Sequence, residues 1–368
     1  MSIDYFGLLL PKYIYSFCRN CTNFFDEKKG GFIIVTLKDV AKACGVSVST
    51  VSRAFDKNSR ISQPVRQKIL SCASELGYTP NLIARSLKNN RSMTIALIIP
   101  SIENRFYIDV LQHLELTLHQ YGYRLIVAFV QEGVSTERDC LEMTASAHVD
   151  GIILLPQDLT NKEYLDTLTK QLKVIQLFSA PYLQIDSVVM DDEKGTEMGT
   201  NYLLQRGHKR ILYVGGEERI AGLWKAIDNA HISHDQVMAL PWTVTIDQIC
   251  NAIQKFHPTA VFAIASTSET AWSAIQQLEL TIPEDISLIA YDDTKWISLA
   301  GLTAIAHDLK EIATVLIAQM MHRLNGNDSS PVEHLVLDPF LIERKSVRVF
   351  KALPNSQSFE TGFPPLHD

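Results

Sequence analysis

Two patterns of hydrophobic and polar positions divide the chain. From Thr36 to Leu76, apolar residues recur at helical spacing in three short stretches. Beyond Arg91, short apolar runs alternate with longer amphipathic stretches, as strands and helices do in parallel α/β sheets. Residues 1–34 show no sustained period of either kind. The pattern therefore predicts a small all-α head followed by an α/β body.

The first two helices of the head are bounded by cap and stop residues. Thr36 and Asp39 form a capping-box-like pair ahead of the first helix, and Gly45 ends it. Ser47 is placed to cap a second, short helix. Two short helices separated by a glycine-containing turn indicate a helix-turn-helix, with the motif at about residues 37–56. An ordinary three-helix bundle is the alternative interpretation of the same pattern.

A third helix is expected from about Gln63 to Leu76, with Ser62 as its cap and Gly77 as its stop. Its Ile69 and Cys72 recur at helical spacing, so we expect them to cover the first two helices. The three helices together would make a compact head.

The body is predicted to contain two lobes, each built on a parallel sheet. In the first lobe, strands are expected at 94–99, 124–130, 151–155 and 174–178, with helices at 107–121, 136–147 and 161–172. In the second lobe, strands are expected at 211–214, 260–264 and 286–290, with helices at 193–205 and 268–278. A final helix at 309–324 precedes a strand at 332–337.

The net charge of -7 hides an asymmetry along the chain. Residues 35–91 carry ten Lys and Arg against three Asp and Glu, which is +7. Since residues 1–34 carry +1, the remaining residues carry -15. A basic segment joined to an acidic body favours a nucleic-acid-binding unit, although a solvated basic face would give the same charge.

Composition excludes several classes of protein. A length of 368 residues suggests two or three domains, and no window approaches the ~18 consecutive apolar residues of a membrane span. Six cysteines are too sparse for a disulfide scaffold and favour a reducing, cytoplasmic location. Cys18 and Cys21 have no second pair at zinc-site spacing, so we predict no metal and no cofactor.

Residues 1–34 are interpreted as an extension outside the functional domains. The stretch is acidic at Asp4, is broken by Pro11 and lacks a cleavage site, so it does not fit a secretory signal. One hypothesis is a mis-called start, with translation beginning at a GTG codon for Val35. Mass spectrometry of the native protein would contradict this hypothesis by detecting residues 1–34.

The predicted helix-turn-helix indicates which side chains would contact DNA bases. Its second helix enters the major groove and presents side chains to base edges. There Arg53 can donate two hydrogen bonds to guanine, and Ser49 can contact a base or a phosphate. We therefore predict that Arg53 and Ser49 read DNA sequence.

One long run resembles a known family. It begins at Val35 and reads VTLKDVAKACGVSVSTVSRAFDKNSRISQPVRQKILSCASELGYTPNLIARSLKNNRSMTIALIIPSIENRFY. It is similar to the lactose repressor (LacI/GalR) family of bacterial transcription regulators, and family-like features extend over residues 35–348. The resemblance implies a homodimer whose heads bind a palindromic operator in double-stranded DNA. It also implies a core of the periplasmic-binding-protein type that binds a small molecule, with a sugar as the expected class.

The resemblance assigns DNA-contacting positions one by one. Those that match the family's base-reading, phosphate-contacting and hinge-helix residues are Thr36, Ser47, Val48, Ser49, Thr50, Arg53, Ser62, Tyr78, Asn81, Ala84, Leu87 and Lys88. Leu87 corresponds to the leucine wedged between base pairs; packing under the next domain is the alternative. Asp56 departs from the family, which often has Asn there, and its carboxylate would repel a phosphate.

Domain boundaries follow from the pattern and the resemblance together. The expected segments are an extension (1–34), the helix-turn-helix head (35–77), the hinge helix and linker (78–91), a two-lobed effector-binding and dimerisation core (92–348) and a tail (349–368). The tail has no leucine heptad, so a dimer is expected and a coiled-coil tetramer is not.

The effector cleft is expected outside the carboxyl ends of the strands. The candidate contacts are Asn104, Phe106, Asp191, Arg219 and Asp292, since carboxylates accept from sugar hydroxyls, Asn and Arg donate, and an aromatic ring covers an apolar face. Two departures from the family fall here. Ala265-Ser266 stands where the family has Asn-Asp, and the stretch after Gly216 is shorter than usual.

We therefore expect a DNA-binding transcription regulator, with a repressor favoured, whose operator affinity responds to a small molecule. A regulator controlled by a partner protein, or by no ligand, would have the same head. A solute-binding protein would need an export signal and no head. No catalytic motif of the common hydrolase, phosphate-loop or zinc-protease types is found, so an enzyme is not expected.

Overall fold

The computed structural model describes residues 25–26, 31–32, 35–56, 59–79, 91–101, 104–131, 133–264, 266–326 and 330–350. They belong to two compact units that divide between residues 92 and 93. In the first unit, strands β1 (Phe25–Asp26) and β2 (Gly31–Phe32) pair antiparallel.

The head of the first unit contains three helices, α1 (Leu37–Cys44), α2 (Val48–Ala54) and α3 (Gln63–Glu75). The predicted capping box is present, because the backbone N–H of Thr36 donates to Asp39 Oδ2 at 2.8 Å. Gly45 ends α1 in the left-handed conformation, at φ 69°. Ser62 stands at the N-cap of α3, but its side chain makes no capping hydrogen bond.

The core of the head joins all three helices. Val40, Val51 and Ile69 are fully buried, one from each helix. Cys72, predicted to cover the helix pair, is half-buried and packs against this core, and the neighbouring Ala73 is buried in it. This shared core packs the two helices of the predicted helix-turn-helix against each other and against α3.

The second unit alternates helices and strands. Its helices are α4 (Arg105–Gln120), α5 (Glu137–Ser146), α6 (Lys162–Leu168), α7 (Asp192–Gln205), α8 (Ile220–Asn229), α9 (Ile246–Phe256), α10 (Thr267–Gln277), α11 (Lys295–Leu299) and α12 (Leu309–Leu324). Its strands are β3 (Thr94–Ile99), β4 (Arg124–Phe129), β5 (Gly151–Leu154), β6 (Lys173–Leu177), β7 (Ser187–Met190), β8 (Ile211–Val214), β9 (Val237–Leu240), β10 (Ala260–Ala263), β11 (Ser287–Tyr291), β12 (Thr303–Ala306), β13 (His334–Leu337) and β14 (Phe340–Ile342).

Two six-stranded sheets form the predicted two lobes. The first-lobe sheet has the order β13-β7-β6-β5-β3-β4, and the described pairs are all parallel. The second-lobe sheet has the order β14-β12-β11-β10-β8-β9, and only β14 runs antiparallel to its neighbour. This is the parallel α/β architecture that the sequence predicts.

Both faces of each sheet are covered, which explains the continuous apolar runs. In β3, Ile95, Leu97 and Ile99 pack in one cluster, while Ala96 and Ile98 pack in the cluster on the opposite face. No helix in the described part of the chain is long and apolar enough to cross a membrane.

The chain crosses between the lobes three times. It leaves the first lobe after β7, returns after β12 and leaves again after β13. Helix α12 accordingly packs on the first lobe, with Ile312, Leu316 and Ile317 in its core. The three crossings bring residues 191–192, 307–308 and 338–339 to the boundary between the lobes.

Candidate DNA-reading face and ligand cleft

The second helix of the head has an inner face and an outer face. Val51 and Ala54 are buried, whereas Val48, Ser49 and Arg53 are exposed. The three side chains predicted to read bases therefore lie on the outer face. Their contacts with DNA stay a prediction, but their side chains are accessible for it.

A hydroxyl cluster marks the N-terminus of this helix. Ser47 Oγ accepts from the backbone N–H of Thr50 at 3.1 Å, as an N-cap should. It also lies 2.8 Å from the hydroxyls of Ser49 and Thr50. Helix N-termini favour anions, so the placement supports the predicted phosphate contacts of Ser47 and Thr50.

The other predicted DNA contacts are dispersed. Thr36 and Ser62 are exposed at the starts of α1 and α3, and Tyr78 is half-buried with its ring centroid 5.5 Å from that of Phe55. The hinge positions Asn81, Ala84, Leu87 and Lys88 lie outside the described residues.

A cavity of about 40 Å³ opens between the two lobes of the body. Asn104 and Arg105 line it from the first lobe, and Asp292, Thr294 and Trp296 line it from the second. It lies at the carboxyl ends of the strands, where ligands of α/β sheets bind. Two of the five predicted effector contacts, Asn104 and Asp292, thus meet at one cavity.

Asp292 is the most unusual of these residues. It is only 4% exposed, and its Oδ1 has no hydrogen-bond partner in the described part of the chain. Its φ of 73° lies in the left-handed region, which costs a non-glycine residue about 1 kcal/mol. Burial raises the pKa of Asp292 to about 6, although the positive charge of Arg219 opposes the rise. The protein therefore holds a strained, incompletely satisfied carboxyl group at the cavity.

Arg219 belongs to a neighbouring buried cluster. Its Nε lies 3.0 Å from Asp192 Oδ2, and its guanidinium carbon lies 4.6 Å from the centre of the Tyr291 ring. The Tyr291 hydroxyl donates to Asp192 Oδ1 at 2.9 Å. Burial and the charge of Asp192 raise the pKa of this hydroxyl, so Tyr291 stays a neutral donor. The charge of Arg219 is thus balanced within the protein by Asp192.

Three predicted effector contacts have local structural roles. Asp191 Oδ1 accepts from the backbone N–H of Lys194 and caps α7. Asn104 Oδ1 accepts from the backbone N–H of Phe106 and caps α4. Phe106 is 6% exposed and packs against Phe178, with 5.3 Å between ring centroids. Of these three residues, only Asn104 also lines the cavity.

Three polar groups near the cleft are not among the five predicted effector contacts. Asp192 makes the contacts to Arg219 and Tyr291, one position along from the predicted Asp191. The Thr294 hydroxyl and both ring nitrogens of His307 are buried without a partner among the described residues. The ring of His307 lies 5.7 Å from that of Tyr291, and burial lowers its pKa to about 4.

These groups suit a ligand better than a metal ion. No cluster of three His, Cys, Asp or Glu residues that could hold a metal occurs in the described ranges. The second-lobe wall of the cavity instead includes the carboxyl group of Asp292 and the hydroxyl of Thr294, which together accept and donate hydrogen bonds. The neutral imidazole of His307 lies beside Tyr291.

The chain combines a helix-turn-helix head with a two-lobed α/β body that has a polar cleft. This architecture is typical of DNA-binding regulators whose core binds a ligand. Comparison with known families agrees. Residues 36–81 match the model described as bacterial regulatory proteins, lacI family, and residues 200–347 match that of the periplasmic binding protein-like domain.

Individual relatives support the same assignment. The HTH-type transcriptional repressor PurR of Vibrio vulnificus (strain CMCP6) is 34% identical over 275 residues, which are 71% of this chain and 82% of the relative. PurR of Vibrio atlanticus (strain LGP32) is 30% identical over 332 residues, 86% of this chain and 99% of the relative. The chain belongs to the lacI family and is a DNA-binding transcriptional repressor.

Solved structures show the same fold. The Lac repressor dimer bound to operator and the anti-inducer ONPF has a TM-score of 0.73 at 24% identity, covering 86% of this chain and 99% of that one. The transcriptional regulator CelR in complex with cellobiose has a TM-score of 0.59 at 24% identity, covering 85% and 99%.

Proposed function

We propose that this repressor binds a neutral, hydroxyl-bearing small molecule, with a sugar as the first candidate, between its two lobes, and that binding changes its affinity for operator DNA. The observation that carries the proposal is the buried Oδ1 of Asp292, which lacks a partner among the described residues at the edge of the cavity. An unsatisfied buried acceptor costs about 1–3 kcal/mol. A ligand hydroxyl that donates to Asp292 would recover that energy.

Charge favours a neutral ligand over an anionic one. The half-buried Arg219 near the cavity is already paired with Asp192, while Asp292 adds a negative charge when it is ionised. At the rim, the exposed Arg105 and Glu269 carry opposite charges. A phosphate or carboxylate would therefore meet the negative charge of Asp292, and among the described residues that line the cavity only the exposed Arg105 offers a positive charge.

The proposal includes an opening of the cleft, because the cavity is small for a ligand. Ligand pockets usually enclose about 300–1,000 Å³, far more than the 40 Å³ found here. The three crossings between the lobes allow a hinge rotation that opens the cleft. A ligand that prefers one arrangement would change operator affinity by a coupling of about 1–3 kcal/mol, and DNA would change ligand affinity by the same factor.

Solved structures with the same fold support a sugar. CelR was crystallised with cellobiose, and a LacI family regulator of Enterococcus faecium, with a TM-score of 0.62, holds bound ribose. The proposal assigns the cleft to binding and not to catalysis, and operator binding requires a cytoplasmic location.

The DNA side of the proposal assigns base reading to the outer face of α2 in a homodimer on a palindromic operator. Arg53→Ala should weaken operator binding by about 1–3 kcal/mol and relax base preference at one symmetric pair of positions. An unchanged preference would make Arg53 a phosphate contact. For the hinge, operator affinity unaffected by Leu87→Ala would contradict the wedge role.

The effector proposal is tested by a thermal-shift screen of the full chain against sugars, sugar phosphates, nucleosides and purines. A ligand at about 100 times its Kd adds about 2.7 kcal/mol to the native state, which is easily detected. We expect a neutral hydroxylated compound to raise the Tm of the wild type but not of Asp292→Asn, and to shift operator affinity in anisotropy titrations.

Two results would contradict the effector proposal. A shift that persists both in Asp292→Asn and in Asp292→Gly, which removes the side-chain acceptor altogether, would separate ligand binding from Asp292. Absence of any shift across the panel would favour the alternative, a repressor controlled by a partner protein, for which the small cavity is the supporting observation.

A further inference from the structure

The recognition helix α2 is too short to be stable by itself. It has seven residues, whereas isolated helices below about 12–15 residues are marginal in water. Its buried residues Val51 and Ala54 fix one face, and Ser47 satisfies its N-terminus. Its C-terminal carbonyls need partners from elsewhere.

Ser59 adds a side-chain donor to one of these carbonyls, that of Arg53, which also accepts from the backbone N–H of Asp56 at 3.1 Å. Its hydroxyl is within hydrogen-bond distance of the carbonyl of Arg53 and lies 2.9 Å from the carbonyl of Asp56. Its backbone N–H donates to the carbonyl of Asp56 at 3.2 Å. Ser59 therefore acts on the end of the helix that carries Arg53.

Arg66 holds Ser59 in turn. Its Nη2 donates to the carbonyl of Ser59 at 3.0 Å and to the hydroxyl oxygen of Ser59 at 3.1 Å. Arg66 is half-buried on α3, which belongs to the core of the head. Its positive charge also faces the negative end of a helix dipole, which is a favourable arrangement.

We infer that Ser59 and Arg66 are positioning residues for operator reading. Through two side-chain contacts, they connect the rigid helix α3 to the backbone of Arg53. Bidentate reading of a base depends on geometry and is worth about 1–3 kcal/mol per pair, so a displaced helix end loses discrimination before it loses general affinity. The inference concerns the DNA-binding head alone and is independent of the proposed ligand.

The first test isolates the hydroxyl of Ser59. A palindromic duplex is selected from a randomised library with the wild-type full chain, and anisotropy titrations compare it with a scrambled duplex. Ser59→Val and Ser59→Thr have the same shape and differ in the hydroxyl. We expect Ser59→Val to lower the ratio of specific to non-specific affinity about tenfold, and Ser59→Thr to keep it within about threefold.

The second test isolates the contact of Arg66 from its charge. Arg66→Gln and Lys68→Gln each remove one positive charge from α3, and Lys68 is exposed. We expect Lys68→Gln to weaken binding to both duplexes by the same factor, because it affects only the sequence-independent charge interaction. Arg66→Gln should lower the specificity ratio in addition.

Equal ratios for Ser59→Val and Ser59→Thr, or for Arg66→Gln and Lys68→Gln, would overturn the inference. Circular dichroism shows whether the head of each variant is folded. Should Arg66→Gln unfold the head, Arg66→Lys keeps the charge and one donor, and the Ser59 pair still decides between a positioning role and a purely structural one.

Discussion

Two buried aspartates, one in each lobe, have opposite environments. Asp186 in the first lobe is 6% exposed and accepts from Arg323 Nε at 2.5 Å, Arg323 Nη2 at 2.7 Å and the backbone N–H of Glu333 at 2.9 Å. Asp292 in the second lobe is 4% exposed, and its Oδ1 lacks any partner among the described residues. Burial alone therefore does not distinguish the two carboxylates; they differ in the degree to which their hydrogen bonds are satisfied.

The largest effect is expected from removing the satisfied charge. Asp186→Asn removes the negative charge that Asp186 contributes to its buried ion pair with Arg323, and breaking a buried ion pair costs about 3–5 kcal/mol. Urea unfolding of the full chain should show this loss in the transition of the core. Asp228→Asn, at an exposed pair with His234, is the matched control and should cost less than about 1 kcal/mol. Equal losses in the two variants would remove the basis of the comparison.

The same substitution should have the opposite sign in the second lobe. The pKa of Asp292 is raised from 3.8 to about 6, so its ionised form destabilises the native state at neutral pH by up to about 3 kcal/mol. The stability that protonated Asp292 provides is lost as pH rises from about 4 to 6. Asp292→Asn should therefore have a higher free energy of unfolding than the wild type in urea unfolding. The difference should increase as pH rises from about 4 to 6. A lower free energy of unfolding for Asp292→Asn than for the wild type at pH 7 would contradict this prediction.

His307 should show the reverse dependence on pH. Burial lowers its pKa from 6.5 to about 4, so the folded state binds fewer protons than the unfolded state, and its contribution to stability is lost as pH falls. The free energy of unfolding of His307→Leu should therefore increase relative to that of the wild type as pH falls from about 6.5 to 4 in urea unfolding. If the stability differences of His307→Leu and Asp292→Asn from the wild type changed with pH in the same direction, the predicted opposite pH dependences would be wrong.

The smallest effect is expected at a surface pair between two crossings. Lys194 Nζ lies 2.7 Å from Asp338 Oδ1, and both side chains are about half exposed or more. Exposed ion pairs contribute about 0–1 kcal/mol, so Lys194→Ala should hardly change the urea midpoint. A loss above about 2 kcal/mol would show that the crossings themselves limit the stability of the core.

Much of the fold could be predicted because local signals agreed with tertiary packing. Strands β3 and β8 coincide with the predicted ranges 94–99 and 211–214, since continuous apolar runs bounded by polar residues suit a sheet covered on both faces. The head was predicted from cap residues, and Ser47 and the Thr36–Asp39 pair make the expected contacts. Membership of the lacI family confirms the resemblance.

The missed elements are short or poor in large apolar residues. Strand β12 reads TAIA and strand β9 reads VMAL, and four residues give too little periodicity to separate a strand from its surroundings. Because β12 was missed, His307 was not placed at the carboxyl end of a strand. Helix α9 was missed although Thr245 and Gln248 form a capping box, a signal that was present in the sequence.

The candidate site was only partly predictable because helix phase decides it. Asp191 and Asp192 are adjacent, yet one caps α7 while the other, the first residue of the helix, meets Arg219. The sequence shows two adjacent aspartates, but it does not show which of them faces the cleft. Likewise, Asp293 pairs with Arg344 while Asp292 lines the cavity, a division set by the left-handed backbone of Asp292.

The crossings between the lobes also determine when the protein can fold during synthesis. Strand β13 completes the first sheet beside β7, although most of that sheet is made much earlier. At roughly 5–20 residues per second, the ribosome needs on the order of 10 to 50 seconds to proceed from β3 to β13. From the synthesis of β7 until that of β13, the nascent first lobe has an open edge at β7, and for most of that time it also lacks the cover of α12. The need for chaperones is therefore greatest before the last strands emerge.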